Sequence, residues 1–140
     1  MKDSLDRALV TAYEQAIFEI TFPEGVVTLS RFNPPDPLTA RLVGRSVTVV
    51  TAYNPVHERP GEAGNRGANE KLREHLEQQG WEFFPAVGGN VEHTYQEPSF
   101  AVMNLNPNEA QALGERFGQA AVFYWDGRVG DLLWCRRAAS

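Results

Sequence analysis

The sequence is poor in cysteine and has no long apolar run. Its 140 residues include one cysteine, and no stretch approaches the roughly 18 apolar residues of a transmembrane helix. These absences exclude a small disulfide-stapled domain and a helical membrane protein, so we expect no membrane partner. Residues 81–115 contain no lysine or arginine but carry five glutamates. Nucleic acid is therefore a disfavoured partner, because its phosphates bind basic surfaces.

The composition is nevertheless that of a globular protein. Hydrophobic residues make up 42% of the chain and aromatic residues 11%, enough for a core of its own. The length predicts a single domain over residues 1–140, as a monomer or a homodimer. The first residues lack the basic head and apolar centre of a signal peptide, so we expect a cytoplasmic protein. Cys135 lies in an apolar run, which favours a small buried side chain over a nucleophile.

Hydrophobic periodicity and turn residues predict the order of helices and strands. Helices are expected at 4–15, 65–79 and 107–117, and strands at 17–22, 26–32, 47–53, 81–87, 99–104, 120–125 and 129–135. From 47 to 125 the order is β-α-β-β-α-β, which is typical of a ferredoxin-like core. We therefore predict an α+β two-layer sandwich, extended by an N-terminal helix and hairpin and by a C-terminal strand.

A glycine-rich segment follows the most β-branched strand. Gly61, Gly64 and Gly67 are expected in a loop that leads into the helix predicted from Asn65. Backbone N–H groups at a helix start bind phosphate or carboxylate groups. The spacing matches neither a dinucleotide-binding fingerprint nor a P-loop, so a plain surface loop remains the alternative.

Polar side chains cluster in the sequence around this strand end. Asn69 lies three and seven positions before Leu72 and Leu76, which places its amide on the buried stripe of the helix. Asn65 lies one turn earlier, and Tyr53 and Asn54 end the preceding strand. We predict that these four residues belong to a ligand site, in which Arg59 or Arg66 neutralises the ligand's charge. Helix capping explains one of the two helical asparagines but not both.

Histidine and glutamate provide the candidates for catalysis. His57 is followed by Glu58, and His93 and Glu97 are four positions apart. This second spacing indicates a metal site only on a helix, whereas glycines and Pro98 bracket it, so we predict no metal. Glu97 precedes a buried strand and is our candidate proton-transfer group, with His57 or His93 as its partner. A structural salt bridge is an equally good explanation of Glu97.

A set of short motifs carries a family resemblance. They are Thr51-Ala-Tyr-Asn-Pro55, Asn65 with Asn69, Pro85-Ala-Val-Gly88, Glu97-Pro-Ser-Phe100 and Phe117-Gly-Gln119. In this order they resemble a small bacterial family of unknown function, the one numbered 3293, over about residues 45–135. The resemblance implies no reaction and no cofactor. It does add Ser99 and Gln119 to the candidate ligand-binding residues.

Three functional hypotheses follow. The first is binding of a small polar or anionic ligand, such as a nucleotide or a phosphate-bearing metabolite, with hydrolysis or group transfer if the protein is an enzyme. The second is a single-stranded nucleic-acid binder, in which aromatic rings stack on bases. The third is a non-catalytic interaction or stress module that uses Trp81, Phe83 and Phe84 as an exposed patch.

Overall fold

The computed structural model describes residues 15–31, 42, 44–53, 61–90, 92 and 95–135. These residues form seven strands and two helices. The strands are β1 Ile17–Phe22, β2 Gly25–Leu29, β3 Val47–Val50, β4 Phe83–Gly89, β5 Gln96–Met103, β6 Ala121–Trp125 and β7 Gly130–Trp134. The helices are α1 Gly61–Gln79 and α2 Pro107–Arg116.

All seven strands belong to one antiparallel sheet in the order β2-β1-β4-β5-β3-β6-β7. β3 lies near the middle, between β5 and β6, and each of its four residues is buried. The hairpin β1–β2 extends the sheet on the far side of β4, where Ile20 lies opposite Ala86. The hairpin is therefore part of the central sheet and not an appendage.

Each face of the sheet buries its own apolar cluster. The two helices cover one face, where Leu72 and Leu76 of α1 and Leu113 of α2 pack on Val102 and Val122. The other face has no helix on it among the described residues. There the sheet buries apolar side chains against one another: Ile20, Val27, Val47, Val49, Ala101, Met103, Phe123 and Trp125.

The second face is buried because the sheet curls. Phe18 of β1 and Phe123 of β6 stack with their ring centroids 4.6 Å apart. Four strand intervals separate β1 from β6, which in a flat sheet amounts to about 19 Å. The edge strands also meet, since Arg31 after β2 forms an ion pair with Asp131 of β7 at 2.8 Å. The sheet is thus a half-barrel with an apolar interior.

The predicted fold class, a ferredoxin-like α+β two-layer sandwich, was wrong. The order of elements from β3 to β6 is β-α-β-β-α-β, as expected, but the architecture is a curled seven-stranded half-barrel with two helices in the described residues. The physical reason lies in the second face of the sheet. A two-layer sandwich leaves one sheet face to solvent, whereas Val47, Val49 and Phe123 on that face are at most 3% exposed.

The sequence predicted the start of one helix correctly and placed the start of the other four residues too late. The start of α2 is confirmed: Asn106 caps it, Pro107 opens it, and Glu109 completes a capping box. α1 begins at Gly61, four residues before the predicted start, so the expected glycine-rich loop is helix from that point. Residues 4–14 of the helix predicted at 4–15 lie outside the described residues, and residue 15 is a turn.

Cys135 is buried after β7. Its side chain packs in the helix-side cluster, and burial raises the pKa of the thiol to about 11. The prediction of a buried, unreactive side chain agrees with this environment. Among the described residues, neither helix is long and apolar enough to span a bilayer.

Candidate functional site

Three elements meet at the C-terminal end of β3. Asn69 of α1 accepts a hydrogen bond from the backbone N–H of Ala52 at 2.9 Å through Oδ1. Its Nδ2 donates to the carbonyl oxygen of Pro98 in β5 at 3.4 Å, and the hydroxyl of Thr51 donates to the same oxygen at 2.7 Å. The amide of Asn69 therefore ties the end of β3 to the first part of β5.

Helical spacing explains why this amide lies inside the protein. The buried residues of α1 are Asn65, Asn69, Leu72 and Leu76, which recur every three or four positions. The leucines anchor the helix on the sheet, and the two asparagines continue the same stripe toward its N-terminus. The prediction that both amides point inward is confirmed, since they are 5% and 8% exposed.

A second amide, which follows α2 in the chain, also holds the strand end. Nε2 of Gln119 donates to the carbonyl oxygen of Tyr53 at 3.1 Å and to that of Phe117 at 3.3 Å. Gln119 is buried beyond the end of α2. The carbonyl of Tyr53 and the N–H of Ala52 are therefore both held by side-chain amides, which makes this strand end a rigid platform.

The side chain of Tyr53, at this anchored strand end, contacts the first turn of α1. Its ring is buried, and its hydroxyl donates to Oε2 of Glu62 in the first turn of α1 at 3.1 Å. The same carboxylate oxygen lies 3.4 Å from Nη1 of Arg66, one turn later. Burial raises the pKa of the Tyr53 phenol, the hydrogen bond to Glu62 raises it further, and the charge of Glu97 adds to this while Arg66 opposes it. Tyr53, Glu62 and Arg66 are thus linked by direct contacts, and the charge of Glu97 acts on the same phenol.

Glu97 lies in β5, opposite Gly88 of β4. The hydroxyl of Tyr95 donates to its carboxylate, and the buried hydroxyl of Ser99 donates to its backbone carbonyl at 3.1 Å. Because Asn69 contacts Pro98, the next residue, Glu97 lies beside the anchored end of β3. The structure therefore brings Tyr53, Asn69 and Gln119 together around the end of β3, with Arg66 at the surface and the charge of Glu97 close enough to act on Tyr53. The hydroxyl of Ser99 lies beside Gly88 and Phe18 instead, on the other face of the sheet.

Four predicted site residues lie outside the described residues: Asn54, His57, Arg59 and His93. Asn54 follows Tyr53 directly in the chain, and residues 54–60 join Tyr53 to the first residue of α1. Among the described residues, no group of three His, Cys, Asp or Glu side chains is placed to hold a metal ion.

The sequence reasoning missed two carboxylate–hydroxyl pairs. Glu62 was not singled out, because the helix was predicted to begin at Asn65 and Glu62 was left in the expected loop. Tyr95 was missed because its pairing with Glu97 depends on the local path of the chain at the start of β5. The ring of His75 is half-buried and contacts the rings of Trp81 and Phe117.

Two of the three aromatic residues predicted to form a patch for a partner, Phe83 and Phe84, pack against other rings of the protein. Phe83 contacts Phe100 edge to face, and Phe84 contacts Phe22. Both side chains are half-buried in the two clusters of the sheet. Their rings therefore contribute to the two apolar clusters of the sheet, and the hypothesis that they bind a partner stays a prediction.

Comparison with known families identifies the chain. The model of a family described as a protein of unknown function (DUF3293) matches residues 50–122, just over half of the 140 residues. The chain belongs to this family. The DUF3293 match runs from the last residue of β3 to the second residue of β6, and it includes Tyr53, Glu62, Glu97 and Gln119. No curated protein and no solved structure matches the chain.

Part of the half-barrel lies outside the DUF3293 region. The hairpin β1–β2 and strand β7 lie outside it, whereas both helices and the anchored end of β3 lie within it. The predicted membership is confirmed, over a shorter range than the expected 45–135.

Proposed function

We propose that this DUF3293 protein binds a small polar molecule with an anionic group at the N-terminal end of α1, beside the anchored end of β3. The observation that carries the proposal is the convergence of Tyr53, Glu62, Arg66 and Glu97. Asn69 and Gln119 already make the hydrogen bonds that hold the backbone there. The four converging groups are therefore not needed for that anchoring.

The charges suggest how such a ligand is oriented. Nε and Nη2 of Arg66 make no hydrogen bond among the described residues, and its side chain is 64% exposed. With the first-turn N–H groups of α1, this guanidinium offers an anionic group two kinds of donor. Glu97 supplies an acceptor on the opposite side for a hydroxyl or amine of the same molecule. This complementarity fits a phosphate- or carboxylate-bearing metabolite.

Ligand binding is tested by thermal unfolding in the presence of defined probes. We would use adenosine 5′-monophosphate, ribose 5-phosphate and succinate with the wild type and with Arg66→Gln. A ligand at 100 times its dissociation constant stabilises the folded state by about 2.7 kcal/mol. We expect stabilisation of the wild type by at least one probe, and a loss of about tenfold in affinity in the variant.

Arg73→Gln is the matched control for this experiment. Arg73 lies on the same helix and is paired with Glu70 and Glu77 on the solvent side. The control should bind the probe as the wild type does. Equal losses in the two variants would show that general charge, and not the site, attracts the probe. Failure of all three probes to bind would contradict the proposal.

The proposal extends from binding to catalysis. Glu97 acts as the proton-transfer group in a hydrolysis or group transfer on the bound molecule. Replacing Glu97 by Gln should then abolish turnover of the bound probe and leave the melting temperature nearly unchanged. A large loss of stability with unchanged turnover would assign Glu97 to the fold. We place this activity in the cytoplasm, because the single cysteine is a free, buried thiol.

A further inference from the structure

A pocket of about 330 Å³ lies between the second half of α1 and the end of α2. This volume is at the lower end of the range for small-molecule sites, about 300–1,000 Å³. The pocket is lined by Lys71, Glu74, His75 and Gln78 of α1 and by Arg116 and Phe117 at the end of α2. His75 lies nine residues after Arg66, about 13 Å further along α1, so this α1–α2 pocket is separate from the site around Tyr53.

The two cations of the α1–α2 pocket are not neutralised by the protein. Neither Lys71 nor Arg116 makes a hydrogen bond or an ion pair among the described residues. The two arginines of α1, Arg66 and Arg73, are by contrast both paired with glutamates of the same helix. Glu74 lies three positions after Lys71, a spacing that permits an ion pair, yet the two side chains do not pair. Both cations are therefore available to an anion from solution.

Two neutral donors lie beside these cations. The half-buried ring of His75 contacts the rings of Trp81 and Phe117, with centroids 6.1 and 5.8 Å apart. In the described part of the chain, neither this imidazole nor the amide of Gln78 makes a hydrogen bond. Burial lowers the pKa of His75 and the charge of Arg116 lowers it further, so the ring is neutral at pH 7.5 and donates through one N–H. A ligand with several acceptor oxygens would satisfy these donors.

Helix ends explain only one of the two cations. Arg116 lies in the last turn of α2, where a positive charge stabilises the end of the helix. Lys71 lies in the middle of α1, where the helix dipole gives no such stabilisation. Glu74 offsets one of the two positive charges, so the α1–α2 pocket keeps a net positive charge.

We propose that the α1–α2 pocket binds the phosphate group of a small phosphate monoester. Lys71 and Arg116, one from each helix, donate to two of the phosphate oxygens, and the N–H of His75 donates to the third. A phosphate suits the pocket better than a carboxylate, because it has three acceptor oxygens and nearly two negative charges. The proposal does not rest on the site around Tyr53, and either site can exist without the other.

The proposal is tested with inorganic phosphate as the probe. Binding is followed by the Hε1 signal of His75 in ¹H NMR spectra at pH 7.5, and this signal is assigned by nuclear Overhauser effects to Trp81 and Phe117. We expect phosphate to shift the signal saturably, and sodium chloride at the same ionic strength to give no saturable shift. Acetate, with two oxygens and one charge, should bind about tenfold more weakly than phosphate.

Substitutions of exposed side chains locate the bound phosphate. Lys71→Gln and Arg116→Gln should each weaken its binding about tenfold, whereas Glu74→Gln should strengthen it by removing a repelling charge. The matched control is Arg128→Gln, which removes an exposed positive charge that does not line the α1–α2 pocket. Arg66→Gln should also leave the His75 titration unchanged, so a failure here is distinguishable from a failure of the site around Tyr53.

Two outcomes would overturn the proposal. The first is a His75 signal that phosphate shifts no more than sodium chloride does. The second is an equal loss of affinity in Lys71→Gln and Arg128→Gln, because the attraction would then depend on the charge of the whole protein. The wild-type titration needs no variant, so it decides the first outcome even where a substitution prevents folding.

Discussion

Gln119 and Tyr53, 66 residues apart in the chain, are joined by a hydrogen bond of 3.1 Å from a side-chain amide to a backbone carbonyl. Asn69 makes the corresponding bond to the N–H of Ala52, the residue before. Two buried amides from different parts of the fold therefore hold backbone groups of two adjacent residues at the end of β3. Both amides lie within the DUF3293 match, and their first role is to fix this strand end.

We predict that Asn69→Ala destabilises the protein by about 1–3 kcal/mol, because the buried N–H of Ala52 loses its acceptor. Urea denaturation measures this change directly. The matched control is Gln78→Ala on the exposed side of the same helix, which should change the free energy of unfolding by less than about 0.5 kcal/mol. Similar effects of the two substitutions would mean that the Asn69 bonds contribute nothing specific.

Two glycines in helices should respond in opposite directions to alanine. A Cβ on Gly67 would have no atom within 4 Å, so Gly67→Ala should stabilise α1 by about 0.5–1 kcal/mol. A Cβ on Gly114 would lie 2.5 Å from Sγ of Cys135 and 2.8 Å from Cγ1 of Val122. Gly114→Ala should therefore destabilise by about 1–3 kcal/mol through overpacking. Thermal unfolding of the pair checks both signs, and a stabilised Gly114→Ala would refute the close packing of α2.

The Tyr53 hydroxyl should make stability depend on pH in the alkaline range. Its pKa is raised in the folded state by burial and by Glu62, so the folded protein holds this proton more tightly than the unfolded chain. The stabilisation is complete below the unfolded pKa of about 10 and is lost as the pH rises through the folded value. We expect Tyr53→Phe to lack this loss.

The measurement is the free energy of unfolding of wild type and Tyr53→Phe between neutral pH and the alkaline limit of the assay. The difference between them should be constant up to about pH 9 and should shift in favour of the variant above about pH 10. A difference that does not change with pH would refute the shifted pKa.

Cys135 should be inert in the folded protein. Burial raises the pKa of its thiol to about 11, so thiolate is scarce at pH 8, and Gly114 and Val122 pack close to it. We predict no reaction with an aromatic disulfide reagent at pH 8 under native conditions, and reaction of one thiol per chain after unfolding in guanidinium. Rapid labelling of the native protein would contradict the burial of this side chain.

The features that could be predicted from the sequence depend on interactions between residues that are close together in the chain. The start of α2 was readable because Asn106, Pro107 and Glu109 act on one another within one turn. The inward direction of Asn65 and Asn69 was readable because it follows from helical spacing relative to Leu72. Both signals need only neighbours in the chain.

The start of α1 and the curl of the sheet depend on distant contacts. Gly61 and Gly64 favoured the prediction of a loop, because glycine destabilises a helix. The packing of the leucines of α1 on the sheet outweighs this preference. The half-barrel depends on the pairing of β1 with β4 and on the contact between Phe18 and Phe123, which no local pattern reveals. The pairing of Tyr95 with Glu97 depends likewise on the path of the chain.

Phe18 is synthesised well before Phe123, the residue whose ring it stacks on in the folded protein. Ribosomes add about 5–20 residues per second, so roughly 5–20 s pass between the emergence of these two rings. Throughout that interval the apolar side of the nascent β1–β2 hairpin lacks the ring that covers it in the finished protein. A chain truncated before β6 should therefore expose this apolar side and aggregate more readily than the whole chain.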